Sequence, residues 1–226
     1  MKSDAKSTIE TGKAILGIEL GSTRIKAVLI DQENKPIAQG NHTWENQLVD
    51  GLWTYSIEAI WSGLQDCYAD LRSNVKNLYG IEIENLAAIG VSAMMHGYMP
   101  FNAKEEILVP FRTWRNTNTG RAAAALSDLF VYNIPLRWSI SHLYQAILDN
   151  EAHVKDIDFL TTLAGYVHWQ LTGEKVLGIG DASGMLPIDP ATHNYSAEMV
   201  AKFDKLIAPN QYNWTLQDIL PKVLSA

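Results

Sequence analysis

The stretch that decides the fold is Ala14–Asp31, AILGIELGSTRIKAVLID. Ala14 to Leu20 is an apolar run with β-branched residues and reads as a buried strand. Gly21-Ser22-Thr23 is a turn signal. Ile25, Ala27 and Leu29 then alternate with Lys26, Val28 and Ile30, so a second strand follows and the two form a β-hairpin. The turn carries chemistry of its own. Glu19 brings a carboxylate to the end of the first strand, and Gly21 permits close backbone approach. Ser22 and Thr23 offer hydroxyls and N–H groups to one point, which suits phosphate oxygens. Lys26 adds positive charge from the second strand, and Glu19 is placed to hold a magnesium ion directly or through water. No helix need follow the glycine, so this is not a Walker loop. On pattern alone an ordinary hairpin with a polar turn fits equally well.

Outward from the hairpin, residues 1–13 read as a flexible leader and 14–226 as one domain. Pro36 to Trp44 is a third strand. Thr54 to Leu78 shows the spacing of one helix face, stopped by Gly80. Leu86 to Ala93 is another strand. Residues 98–101 and 107–114 read as short strands around the polar turn Asn102 to Glu106. Helices are expected over 118–130, Ser139 to Val154, Phe159 to Leu171 and Ser196 to Ile207. Residues 174–190 should be extended or looped, and 208–226 a linker with a final turn. A hairpin, then a helix, then a strand points to an α/β domain with a mixed sheet.

Composition narrows the function classes. Apolar residues make up 47% and charged residues 19%, and the net charge is −7, so nucleic acid, whose phosphates would repel the chain, is an unsuitable partner. Met1 to Lys13 lacks the apolar core of a signal peptide, and no apolar run nears the roughly 20 residues that span a bilayer. No membrane partner and a cytoplasmic location are therefore expected. The one cysteine, Cys67, excludes an intramolecular disulfide and fits that reducing setting. Cys67 lies on the apolar helix face and reads as inert core. Seven tryptophans are first of all core anchors, although their faces also suit sugars. His42, His142, His153, His168 and His193 show no zinc-ligand spacing, and Asp156 with Asp158 reads as a solvated helix start.

The hairpin resembles the first hairpin of the actin-like ATPase superfamily, and within it the FGGY carbohydrate kinases. Further motifs match in order. Gly90-Val91-Ser92-Ala93-Met94-Met95-His96-Gly97 resembles the Met-His-Gly turn of the xylulose kinases, and Trp114 the family's tryptophan followed by polar residues. Leu171-Thr172-Gly173-Glu174, Asp181-Ala182-Ser183-Gly184-Met185-Leu186 with Asp189, and Ile219-Leu220-Pro221 are similar to later segments of the family's first domain. The resemblance implies a ribonuclease-H-like, actin-like α/β fold. It further implies ATP and Mg2+ as cofactors, a small-molecule sugar as substrate, and transfer of a phosphoryl group to a hydroxyl of a xylulose-like ketopentose. The same resemblance assigns Glu19 to the metal, Gly21, Ser22 and Thr23 to phosphate, and Lys26 beside Glu19 to catalysis. Met95, His96, Trp114 and Asp181 are then the sugar-binding set. Core packing is an equal alternative for Trp114, and helix capping is the commoner fate of an aspartate placed like Asp181. Arg115 is expected to pair with a surface carboxylate. Glu19 stands where the family has aspartate, and Asn116 where it has a second carboxylate. The family's general base belongs to a second half after Leu220-Pro221, so these 226 residues alone are expected to be catalytically silent. Another ketose, a polyol or an aldonate as acceptor remains open, as does a non-catalytic module that binds sugar or nucleotide. A homodimer of the full-length protein is one assembly this resemblance leaves open.

Overall fold

The computed structural model describes residues 2–225; Met1 and Ala226, the outer ends of the expected leader and domain, lie outside them. Helix α1 (Lys2–Glu10) precedes strands β1 (Ile15–Leu20), β2 (Arg24–Ile30) and β3 (Pro36–Thr43). Short strands β4 (Gln47–Val49) and β5 (Leu52–Thr54) come before helix α2 (Ile57–Tyr79) and strand β6 (Ala88–Ala93). The chain divides into two compact units, Met1–Asn46 with Tyr55–Met94, and Gln47–Thr54 with Met95–Ala226.

The first unit is built on β1. It lies in a four-stranded mixed sheet of order β3-β2-β1-β6, antiparallel to β2 and parallel to β6. The register sets Leu16, Ile18 and Leu20 against Leu29, Ala27 and Ile25. All six are buried, because strand alternation sends them to one face. Helix α2 packs on β2 and β3 through Ile60, Gly63, Cys67, Leu71 and Val75. Ser56 caps its start by accepting from the Ala59 N–H. Gly80 ends it in the left-handed region at φ 72°, where glycine carries no Cβ penalty. Gly40 decides how closely helix and sheet approach. A Cβ there would stand 2.8 Å from Leu71 Cβ and closer still to the Cys67 carbonyl. Cys67 is buried, and burial pushes its thiol up to about 11, so it is unreactive packing.

The segment expected to be a flexible leader is helical over Lys2–Glu10. Ile9 is its anchor, buried in this unit, and Lys6 pairs with Glu10 at 3.7 Å one turn on. Two apolar side chains, Ala5 and Ile9, are too few to register as a periodic pattern.

The second unit comprises, after β4 and β5, β7 (Met99–Phe101), α3 (Gly120–Phe130), α4 (Ser139–Leu148), β8 (Phe159–Thr161) and α5 (Leu163–Thr172). There follow β9 (Val176–Gly178), α6 (Ile179–Ala182), β10 (Ile188–Asp189), β11 (Asn194–Tyr195), α7 (Ala197–Ile207), α8 (Leu216–Ile219) and β12 (Lys222–Leu224). Leu126, Leu143, Met185, Phe203 and Leu216, all wholly buried, belong to its hydrophobic core. Several boundaries differ from the sequence reading. Residues 107–114 form isolated bridges, Tyr98 with Arg112 and Phe101 with Ile107, and the ladder partner of β7 is β8. Pro110 lacks the N–H that a continuous ladder needs. Phe159–Thr161, expected to open a helix, is that partner strand, and Thr162 caps α5 behind it. The helix expected to Val154 ends at Leu148, and Asp156 closes a 3-10 turn instead of starting a helix. Residues 208–226 are no linker: α8 is buried at Leu216 and Ile219, and β12 pairs parallel to β9. No helix among the described residues is long and apolar enough to cross a membrane.

The packing at Gly40 is testable by denaturation. Gly40→Ala is expected to cost about 1–3 kcal/mol through overpacking. Gly90→Ala, where a Cβ meets nothing within 4 Å, should be neutral or stabilising by about 0.5 kcal/mol. Equal stabilities for the two variants would refute the argument.

Candidate functional site

The hairpin turn is closed by the Gly21 N–H donating to the Arg24 carbonyl at 3.0 Å. A Cβ on Gly21 would sit 3.0 Å from that same oxygen, so glycine suits the tightness of the turn. Two buried aromatic residues, Trp44 and Tyr55, hold the turn from its carbonyl side. Neither was singled out in the sequence, because their partners are backbone atoms more than twenty residues away.

Below the turn, Glu19 and Lys26 face each other across the β1–β2 ladder, and Ser92 is the β6 partner of Glu19. Directly opposed residues share a sheet face, and here it is the face away from α2. Both side chains are exposed, and they make no ion pair among the described residues. They line a shallow hollow of about 440 Å³ with Gly17, Val28, Gly90 and Ser92. Gly17 and Gly90 are register partners in mid-strand. Among the described residues no atom lies within 4 Å of a Cβ on Gly90, and the Val28 carbonyl would lie 3.9 Å from one on Gly17. Packing therefore does not demand glycine there, and the missing side chains leave room for something else. Glycine inside an apolar strand is the signal by which this hollow could have been read from the sequence. Among the described residues no three His, Cys, Asp or Glu side chains cluster to hold a metal. A lone carboxylate suits Mg2+, which keeps most of its water and phosphate ligands.

In the second unit Met95, His96 and Gly97 form a strained turn. His96 has φ 69° and Gly97 φ 119°. A left-handed histidine costs roughly 1–2 kcal/mol, so its surroundings must hold it. Ser139 Oγ donates to the Gly97 carbonyl at 2.6 Å, and Tyr98 exchanges backbone bonds with Arg112 at 2.9 and 3.1 Å. His96 Nδ1 lies 3.2 Å from the Gly184 carbonyl. A carbonyl can only accept, so Nδ1 carries the proton and neutral His96 offers Nε2 as an acceptor. Half-burial lowers its pKa and favours that neutral form. Nε2 has no protein partner among the described residues. A Cβ on Gly184 would meet Nδ1 at 2.7 Å and Met95 Cε at 3.2 Å, so this glycine makes room for both side chains. Trp138 lies beside the His96 ring, centroids 6.4 Å apart.

The remaining predicted residues fall differently. Trp114 is 40% exposed, whereas Trp44, Trp169 and Trp214 are buried packing. Arg115 caps the Trp53 ring at 3.9 Å in place of the expected carboxylate pair. Asn116 is buried and fully engaged: its Oδ1 accepts from the Trp53 N–H, and its Nδ2 donates to the Trp53 and Thr113 carbonyls. An aspartate could not make the last two bonds. Asp181 accepts from Thr162 Oγ1, and burial raises its carboxyl pKa. Its backbone carbonyl accepts from the Gly184 N–H at 2.9 Å, so it braces the turn whose oxygen holds His96.

Behind the strained turn, His142 is wholly buried, and among the described residues neither ring nitrogen has a hydrogen-bond partner. Burial first, then Arg112 and His96, hold its pKa down at about 3. The unfolded chain takes up that proton below about 6.5 while the folded chain refuses it. Stability should therefore fall as pH drops from about 6.5 toward 3, by about 1.4 kcal/mol per unit from this group alone. Replacing the ring, as in His142→Leu, is expected to flatten the fall in melting temperature between pH 7 and 5. Parallel pH profiles for variant and parent would overturn the assignment.

The sequence pattern of the FGGY family of carbohydrate kinases, N-terminal domain, matches residues 14–226. A xylulose kinase of Klebsiella pneumoniae is 21% identical over 197 residues, covering 84% of this chain and 40% of the relative. A solved xylulose kinase from Lactobacillus acidophilus superposes with a TM-score of 0.76 at 18% identity, covering 93% of this chain and 42% of that one. A gluconate kinase from the same organism gives the same TM-score, identity and coverage. The chain thus spans about 40% of the length of the curated relatives it matches. Its mixed α/β architecture is the actin-like ATPase fold of these kinases. With the family pattern running from the first strand to the last residue, this chain belongs to the FGGY family of carbohydrate kinases, as its N-terminal domain.

Proposed function

We propose that this chain is the sugar- and phosphate-binding part of an ATP-dependent kinase, cytoplasmic in location, that phosphorylates a hydroxyl of a xylulose-like ketopentose. The observation that carries the reading is His96, held left-handed with Nε2 free to accept from a hydroxyl. A strain of this size is retained where a side chain must be aimed. Met95, 41% exposed, offers an apolar surface to the sugar carbons, and exposed Trp114 offers a ring face. Asp181 acts through the turn it braces.

On the first unit, Ser22 and Thr23 donate to phosphate oxygens, and Lys26 neutralises their charge. Glu19 holds the Mg2+ that accompanies ATP. When bound, MgATP supplies the phosphoryl group; these residues position it and offset its charge, which is most of what such a transfer asks of a protein. The base that accepts the hydroxyl proton is assigned to a part of the kinase outside this chain. An aldonate acceptor is the second reading, favoured by the equal likeness to a gluconate kinase fold.

Saturation-transfer NMR on the chain with D-xylulose, D-gluconate and glycerol tests this. D-xylulose is expected to give the strongest signal. His96→Ala should abolish it and Gly184→Ala weaken it several-fold, while Glu19→Ala leaves it intact. A stronger response to D-gluconate selects the aldonate reading, and no response to any of the three overturns the sugar site.

A further inference from the structure

We infer that Trp44 and Tyr55 are positioning residues that turn the Gly21-Ser22-Thr23 loop into a donor-only concavity, an inference that rests on the phosphate-binding reading of that loop. Three consecutive carbonyls are involved. Trp44 Nε1 donates to the Gly21 oxygen at 2.7 Å, and Tyr55 Oη donates to the Ser22 oxygen at 2.6 Å. The Trp44 backbone N–H donates to the Thr23 oxygen at 3.3 Å. The two rings stack with centroids 4.2 Å apart, and both residues are buried, at 7% and 2% exposure. Each ring thus fixes its neighbour's donor in place.

The consequence follows from the planar trans peptide. The carbonyl of one residue and the N–H of the next lie in their shared plane and point in opposite directions. Tying the Gly21 carbonyl to Trp44 aims the Ser22 N–H away from the brace. Tying the Ser22 carbonyl to Tyr55 aims the Thr23 N–H away likewise. Among the described residues, the N–H groups and hydroxyls of Ser22 and Thr23 have no protein partner. An anion meeting this loop therefore finds donors, with the carbonyl oxygens that would repel it bound at the rear. If either tie is cut, the peptide can rotate and bring a carbonyl to the front. The ligand class this selects is a phosphate chain, whose oxygens accept several N–H bonds at once.

The variants Trp44→Phe and Tyr55→Phe keep the rings and remove the donors. The probes are inorganic tripolyphosphate with Mg2+, and separately D-xylulose, titrated into the chain and followed by NMR. Each variant is expected to weaken tripolyphosphate about fivefold, the worth of one hydrogen bond, and the double variant more. D-xylulose affinity should not change, which separates a positioning role from a general loss of structure. Unchanged tripolyphosphate affinity in both variants, or equal loss of both ligands, overturns the inference. If Trp44→Phe fails to fold, Tyr55→Phe alone carries the test, with exchange of the Ser22 and Thr23 amides as a second reading: slower exchange on adding tripolyphosphate to the parent supports the donor role, and no change refutes it. A parent chain that ignores tripolyphosphate overturns the phosphate reading of the loop itself, and the brace with it.

Discussion

The register of β1 between β2 and β6 is the constraint on which the first unit depends. It sends Leu16, Ile18 and Leu20 to the face that, on β2 and β3, supports α2, and Gly17 and Glu19 to the other. A slip of one residue would exchange the two faces, burying a carboxylate against the helix and exposing the core. The same register pairs Glu19 with Lys26 and Gly17 with Gly90. Core and candidate phosphate site are therefore two sides of one ladder, and neither can be set independently. Gly40 contributes from the core side, since only a residue without a Cβ lets α2 approach β3 this closely.

The second unit solves a different problem, that of holding a histidine in an unfavourable backbone conformation. The Tyr98–Arg112 bridge, Ser139 at the Gly97 carbonyl and Gly184 at the imidazole come from separate segments. Each restrains one part of the turn, so the strain is opposed by the fold as a whole. Buried polar groups accumulate behind it. Arg112 pairs with Glu151, His153 lies 2.8 Å from the Tyr98 hydroxyl, and among the described residues the His142 ring nitrogens have no hydrogen-bond partner. A neutral imidazole tolerates such burial where an imidazolium could not, which is why acid should loosen this unit.

Departures from the family pattern also acquire physical content. Asn116 replaces a carboxylate because its amide is needed to donate to two carbonyls, so its identity reflects local architecture more than the sugar. Glu19, by contrast, is exposed and has no hydrogen-bond or ion-pair partner among the described residues. Its longer reach has no structural explanation on the protein side.

Local pattern alone determined the hairpin, its turn with residue types able to bind phosphate, and the amphipathic α2 with its Gly80 stop. These depend on periodicity and on backbone freedom, which act over a few residues. The resemblance, spread over ordered motifs, pointed to the family and supplied the sugar-binding set. What the tertiary structure decided are the relations between distant residues. Phe159–Thr161 is a strand because β7 offers it a partner, and Lys222–Leu224 is one because β9 does. Lys2–Glu10 docks with the side chain of Ile9 buried. Trp44 and Tyr55 reach the Gly21 and Ser22 carbonyls across 23 and 33 residues. Gly184 fits the His96 ring across 88. Hydrogen-bond partners at such separations leave no periodic trace in a sequence, because what selects them is the closeness that folding creates.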